Sequence, residues 1–244
     1  MPLPPGYDNS LALMLANACQ LAYTQLDNPP QFAPPPGYRI EAEFDADVLG
    51  NHERIGFLMI SNTDAILAFR GTADFPDAIA DIRALQVPYP YDASAGMSHA
   101  GFTEIYQSAR EAVKAAVSAL PQGLTLYVTG HSLGGALAVL AALDIAVNTS
   151  FHVPIMYTLA GPRVGDPEFA DRFDNVVVTK NTASWRVVNM FDLVPLLPPE
   201  KIFDPVTSKT YFYQHVADVR LIGFLKGGAI ANHSLQNYIA AIGA

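Results

Sequence analysis

The chain reads as an α/β fold with a mostly parallel central sheet covered by helices on both faces. Three observations point that way. From Leu124 onward, short apolar runs alternate with helical patterns, the order that builds parallel sheets. Apolar residues make up 50% of the 244 positions and charged residues only 15%, well under the quarter usual for soluble domains. A compact strand, LTLYV, runs through a glycine-rich turn straight into a small-residue helix, GGALAVLAALDIAV.

The elements follow in order. Asp8, Asn9 and Ser10 are helix-capping types, and Leu11, Leu15, Ala18 and Ala22 lie on one side of the helix after them. Prolines 29, 30, 34, 35 and 36 break regular structure there. Ile55–Ser61 and Ala65–Arg70, separated by Asn62-Thr63-Asp64, read as adjacent strands joined by a tight turn. A helix is predicted over Thr103–Leu120, stopped by Pro121. Strands are predicted at Leu124–Thr129, Ile155–Leu159, Trp185–Met190 and Val216–Ile222. Helices are predicted at Leu133–Val147, Pro167–Phe173 and Ser234–Ile242. No repeat or low-complexity linker divides the chain, so residues 1–244 read as one domain.

Charge and cysteine content exclude several functions. A net charge of −9 argues against nucleic-acid partners, whose phosphates need a basic face. Cys19, the one cysteine, allows neither an intrachain disulfide nor a thiolate metal cage. No phosphate loop, dinucleotide fingerprint or zinc motif is present, so the reading calls for no cofactor and no metal. Asp166, Glu168, Asp171 and Asp174 lack the spacing of a calcium loop. No apolar run is long enough for a transmembrane segment. No basic region precedes Arg39, so the expectation is an intracellular protein or a secreted form whose leader Met1 replaces.

The sharpest local signal is Gly130-His131-Ser132-Leu133-Gly134, a G-x-S-x-G pentapeptide between strand and helix. Such a turn lifts the serine hydroxyl above the sheet and aims the next N–H, that of Leu133, at a developing oxyanion. A nucleophilic serine needs a base, and the base an orienting acid, in the chain order Ser, acid, His. Asp192 stands just past the strand WRVVNM, where catalytic groups gather beyond carboxyl ends. His215 and His233 follow it. If VADVRLI runs parallel to the other strands, His233 lies at its carboxyl end and His215 at the wrong one, which favours His233.

Together these residues resemble the fungal-type, or class 3, lipases, a branch of the α/β-hydrolases, from about Leu58 to Tyr238. ILAFRGT (66–72) resembles that family's oxyanion strand, and His99-Ala100-Gly101-Phe102 its HxGF element. VTGHSLGGALA resembles its elbow, TLAGPRVGDPEFA (158–170) its PRVGD stretch, NMFDLVPLLPP its acid loop, and His233–Tyr238 its terminal histidine segment. The resemblance implies a catalytic triad of Ser132, Asp192 and His233, and oxyanion donors from Thr72 and Leu133. It matches His215 to a family position outside the triad. It also implies a lid at 73–83, where Phe75, Ile79 and Ile82 form one apolar face. Those three residues, with Tyr89 and Phe102, are candidates for substrate contact.

The function implied is hydrolysis of lipid carboxylic esters, as by a triacylglycerol lipase, on a substrate met at a lipid–water interface. An esterase for short-chain or aryl (feruloyl-type) esters is the alternative, and an inactive lipase-like binding protein is the rival outside catalysis. Two departures matter. Ala78 stands where the family commonly has Trp, which makes the lid less suited to an interface. The cysteines that staple secreted fungal relatives are missing, which favours a bacterial source.

Overall fold

A computed structural model describes the chain except for residues 1, 2, 4, 5, 49, 73–83, 152, 179–183 and 207. The expected lid, with Phe75, Ile79 and Ile82, therefore lies outside the described residues.

The chain opens with α1 (Asn9–Asp27), capped by Asp8, whose carboxylate accepts from the N–H groups of Ser10 and Leu11. Strands β1 (Arg39–Val48), β2 (Asn51–Ile60) and β3 (Asp64–Phe69) follow as an antiparallel meander. β1 was not foreseen, although its sequence alternates with period two: Ile40, Ala42, Phe44, Ala46 and Val48 against Arg39, Glu41, Glu43, Asp45 and Asp47. The short strands β4 (Gln86–Pro88) and β5 (Met97–His99) pair with each other and lead into α2 (Ala100–Ser118). α2 starts earlier than predicted because His99 caps it, Nδ1 accepting the Phe102 N–H.

β6 (Thr125–His131), α3 (Leu133–Asn148), β7 (Ile155–Leu159), α4 (Pro167–Val176) and β8 (Trp185–Asn189) supply the strand–helix alternation read from the sequence. A hairpin, β9 (Lys201–Asp204) and β10 (Lys209–Phe212), was not foreseen. β11 (Asp218–Ile222) is shorter than predicted, because Ala217 before it takes the left-handed conformation at φ 57°. Two helices finish the chain, α5 (Ala229–His233) and α6 (Leu235–Ile242).

The seven-stranded sheet has the order β1-β2-β3-β6-β7-β8-β11, and β3 through β11 are all parallel neighbours. Helices α1 and α6 cover one face, with Leu15, Cys19, Tyr238 and Ile242 packed on Phe57, Ile66 and Trp185. Helices α2, α3 and α4 cover the other, with Tyr106, Leu140 and Phe173 in the larger core. α3 is buried from Leu133 to Ile145, which explains its lack of a polar face. Its one buried acid, Asp144, is neutralised by Arg110, whose Nε and Nη2 donate to its two oxygens at 2.7 and 2.9 Å, and it also accepts from the Tyr106 hydroxyl at 2.9 Å. Among the described residues no helix is long and apolar enough to cross a membrane. The parallel strands all end on one rim, where the conspicuous polar groups meet.

Candidate active site

Ser132 occupies the turn between β6 and α3 with φ 61° and ψ −126°, a conformation that L side chains rarely adopt. Such backbone strain typically costs about 1–3 kcal/mol and persists only where neighbours enforce it. Here the Ser132 N–H donates to the Leu159 carbonyl at 3.0 Å, and its own carbonyl accepts from Gly135 at 2.9 Å. A Cβ at Gly130 would run into the Gly134 carbonyl, and one at Gly134 into the Phe69 carbonyl. The sharp turn therefore requires both glycines. Leu133 is the first residue of α3, so its N–H belongs to the unpaired donors of a helix start.

The structure brings Ser132, His233 and Asp192 together. Ser132 Oγ lies 2.7 Å from His233 Nε2, and His233 Nδ1 lies 2.8 Å from Asp192 Oδ2. All three are buried. A carboxylate can only accept here, so Nδ1 carries the proton and Nε2 is left to accept from the serine hydroxyl. Asp192 is fixed further by the Val194 N–H on Oδ1 at 3.0 Å and the Tyr238 hydroxyl on Oδ2 at 2.8 Å. Tyr238 is fully buried, and burial together with the Asp192 charge holds its phenol well above the ordinary range. It stays a proton donor to the acid. This contact was missed in the sequence, although Tyr238 is the aromatic of the segment that begins at His233. Asn189 at the end of β8 accepts the Phe224 N–H and donates to the Asn232 carbonyl, tying the loop that carries His233 to the strand that carries Asp192.

Thr72 follows β3 on the rim, and its hydroxyl is buried with no hydrogen-bond partner among the described residues. The Arg70 guanidinium stiffens this loop by donating to the Gly71 and Arg54 carbonyls and pairing with Glu53. Tyr89 and Phe102, expected near substrate, do not line the pocket at the triad. Tyr89 is buried with its hydroxyl on the Leu140 carbonyl, and Phe102 stacks on His99 in the larger core. Both are large apolar rings at helix–sheet contacts, which gain more from the core than from a groove. Asp166 caps α4 through the Phe169 N–H, and among the described residues no acidic or histidine cluster could hold a metal.

The other histidines play different parts. His131 Nε2–H donates to the His233 carbonyl at 2.9 Å, so its Nδ1 accepts from the Tyr23 hydroxyl, also at 2.9 Å. His215 Nε2–H donates to the Pro195 carbonyl at 2.7 Å, three residues beyond Asp192. Burial pushes His99 down to about 4, burial and then the Arg186 charge push His215 to about 3, and burial holds His131 well below the imidazole range. All three are neutral in the folded chain near neutral pH.

That neutrality makes the protein acid-labile. The unfolded chain binds protons at these histidines from about pH 6.5 downward, whereas the folded chain refuses them until far lower pH. Stability is therefore complete above about pH 6.5 and falls as pH drops toward the folded values. Each histidine costs up to about 2 kcal/mol at pH 5. A clear fall in melting temperature from pH 7 to pH 5 is expected, smaller in His99→Asn. A flat profile would show that these rings accept protons in place.

Comparison with known proteins points to one family. The profile described as Lipase (class 3) matches residues 66–202. A phospholipase A1-II 3 from Oryza sativa subsp. japonica is 32% identical over 211 residues, covering 73% of this chain and 48% of the relative. A lipase from Rhizomucor miehei is 39% identical over 139 residues, covering 54% of this chain and 37% of the relative. The chain thus spans about half or less of these relatives. Among solved structures, the nonglycosylated Yarrowia lipolytica LIP2 lipase superposes with a TM-score of 0.71 at 23% identity, over 91% of this chain and 82% of that one. Lipase II from Rhizopus niveus gives 0.66 at 26% identity, over 80% and 77%. A family profile that spans the oxyanion strand, the elbow and the acid loop, together with the shared fold, makes this chain a member of the class 3 lipase family.

Proposed function

We propose that the protein hydrolyses carboxylic esters of lipids, acylglycerols above all, in the manner of a triacylglycerol lipase. The observation that carries this reading is the unbroken chain from Ser132 Oγ through His233 to Asp192 at 2.7 and 2.8 Å. His233 takes the proton of Ser132 as its oxygen attacks the ester carbonyl, and then gives that proton to the departing alcohol. Asp192 holds the imidazole in the needed tautomer and stabilises its charged form. Water, activated by the same histidine, frees the fatty acid from Ser132. The N–H groups of Leu133 and Thr72, with the Thr72 hydroxyl, receive the oxyanion; one such donor is typically worth about 2.7–4 kcal/mol. The unpartnered, buried Thr72 hydroxyl supports this role, since a buried polar group is costly to leave unpaired.

The relatives' names agree on the acyl ester and differ in its alcohol: a phospholipase A1, a lipase, and a secreted mono- and diacylglycerol lipase of Fusarium solani. The amphipathic 73–83 sequence is the segment we assign as a cover over the site. The test is initial rate on glycerol esters from butyrate to oleate, below and above their solubility limits, with Ser132→Ala as blank. A jump in rate when an emulsion forms, with long chains turned over, is expected. Simple saturation in solution and collapse beyond short chains would make the protein an esterase instead. Rates equal to the blank on every ester, aryl esters included, would leave only a binding protein.

A further inference from the structure

Cys19 and Tyr23 stand four residues apart on one face of α1, and Thr129 and His131 stand two apart on one face of β6. The two pairs meet in register. The Thr129 hydroxyl donates to the Tyr157 carbonyl at 2.7 Å, which leaves it to accept from the Cys19 thiol at 3.3 Å. One turn further along the helix, the Tyr23 hydroxyl donates to His131 Nδ1 at 2.9 Å. The Tyr23 oxygen also packs against the backbone before Thr72, so closely that a Cβ on Gly71 would collide with it. The hydroxyl is thereby held in place from two sides.

His233 is the last residue of α5, and a helix leaves its final carbonyls without partners of its own. His131 supplies a donor, its Nε2–H reaching the His233 carbonyl at 2.9 Å. The two imidazole rings also lie 4.7 Å apart, inclined by 34°. His131 therefore supports both the backbone and the ring of the base. Tyr23 fixes which face of His131 does so. A donor on Nδ1 selects the tautomer with its proton on Nε2, the one that serves the carbonyl. The opposite tautomer would set the Nε2 lone pair against the carbonyl oxygen, acceptor against acceptor.

A neutral ring is what the site needs at that position. When His233 takes the Ser132 proton, its positive charge appears beside His131, and a second cation there would oppose it. The Tyr23 hydroxyl occupies the one lone pair at which His131 could itself take a proton.

Resting on the ester-hydrolase reading above, we infer that Tyr23 and His131 form one positioning unit for the catalytic base, holding His233 against Ser132 through the His233 carbonyl. The unit acts through His233 and not on the ester, so it bears on turnover rather than on substrate binding. It serves acylation and deacylation alike, because His233 is the base in both.

The experiment measures kcat and KM separately on p-nitrophenyl butyrate below its solubility limit, in the full chain, with Ser132→Ala as blank. Tyr23→Phe keeps the ring and removes the hydroxyl. It is expected to lower kcat about tenfold, the scale of a typical lost hydrogen bond, with KM unchanged. His131→Phe takes the donor from a buried carbonyl and should lower kcat further, by up to about a hundredfold. Adding Tyr23→Phe to His131→Phe should cost about twofold or less, because the hydroxyl acts through the imidazole. His131→Gln, whose amide N–H reaches the same carbonyl, should recover most of the loss. A merely structural pair would lower the melting temperature with kcat intact. Both side chains border the pocket with His233, so a substrate-binding role would instead raise KM. Either result, or full multiplication of the two losses in the double variant, overturns the assignment while leaving the hydrolase reading intact. If His131→Phe folds poorly, the split between kcat and KM in Tyr23→Phe decides the matter alone. Parent rates equal to the blank would instead remove the hydrolase reading on which the unit rests.

Discussion

Ser132→Ala is expected to lower kcat on any ester by about six orders of magnitude, the scale typical of losing a serine nucleophile. The substitution deletes the only atom of Ser132 that reaches His233 Nε2, at 2.7 Å, and leaves the rest of the rim in place. The Leu133 N–H stays at the helix start and the Thr72 hydroxyl stays buried beside the pocket. A residual acceleration of about 10³–10⁴ over water, from oxyanion contacts and binding, would accordingly survive. Alanine accepts the strained backbone about as well as serine, because the strain is imposed by Gly130, Gly134 and the Leu159 carbonyl rather than by the hydroxyl. The melting temperature should therefore shift by only a few degrees. A variant that folds normally and keeps its turnover would place the nucleophile elsewhere and dismantle the proposed mechanism.

How far the sequence exposes this site depends on the range over which each feature is determined. The elbow is local: strand, two glycines and helix lie within a few residues of Ser132, and the structure forms them as the sequence implies. Which histidine faces Ser132 needs one non-local fact, the direction of β11. Its parallel pairing with β8 puts His233 on the rim with Asp192, while His215 stays before the strand. β1 was legible and overlooked, since its alternation is complete over ten residues. The hairpin of β9 and β10 carries no such pattern; Phe203 and Phe212 are both exposed, so neither strand has a buried face to mark it. The bonds from Tyr238 to Asp192 and from Tyr23 to His131 span 46 and 108 residues and arise only when α6 and α1 pack on the sheet. Tyr89 and Phe102 show the converse limit. An aromatic in a loop or at a helix start has the same composition whether it faces a groove or the core, and packing decides.

His233→Ala and His215→Ala separate a catalytic from a positioning histidine. Losing His233 removes both the acceptor for the Ser132 proton and the donor to Asp192, so kcat should fall by roughly 10⁴–10⁶, close to the effect of losing Ser132 itself. The two losses should not add, because serine and histidine act as one unit. His215 reaches the site only through the Pro195 carbonyl, in the loop that carries Asp192. Its removal leaves that carbonyl short of a donor, at about 1–3 kcal/mol of stability, and lets the acid drift slightly. An activity loss of about tenfold or less is expected. The pH profile gives a second distinction. His215 is already neutral throughout the working range, with its proton affinity pushed down to about 3, so its loss should leave the acid limb of kcat/KM where it was. A larger loss from His215→Ala than from His233→Ala, or an acid limb that moves with His215, would mean that the histidine facing Ser132 is not the base.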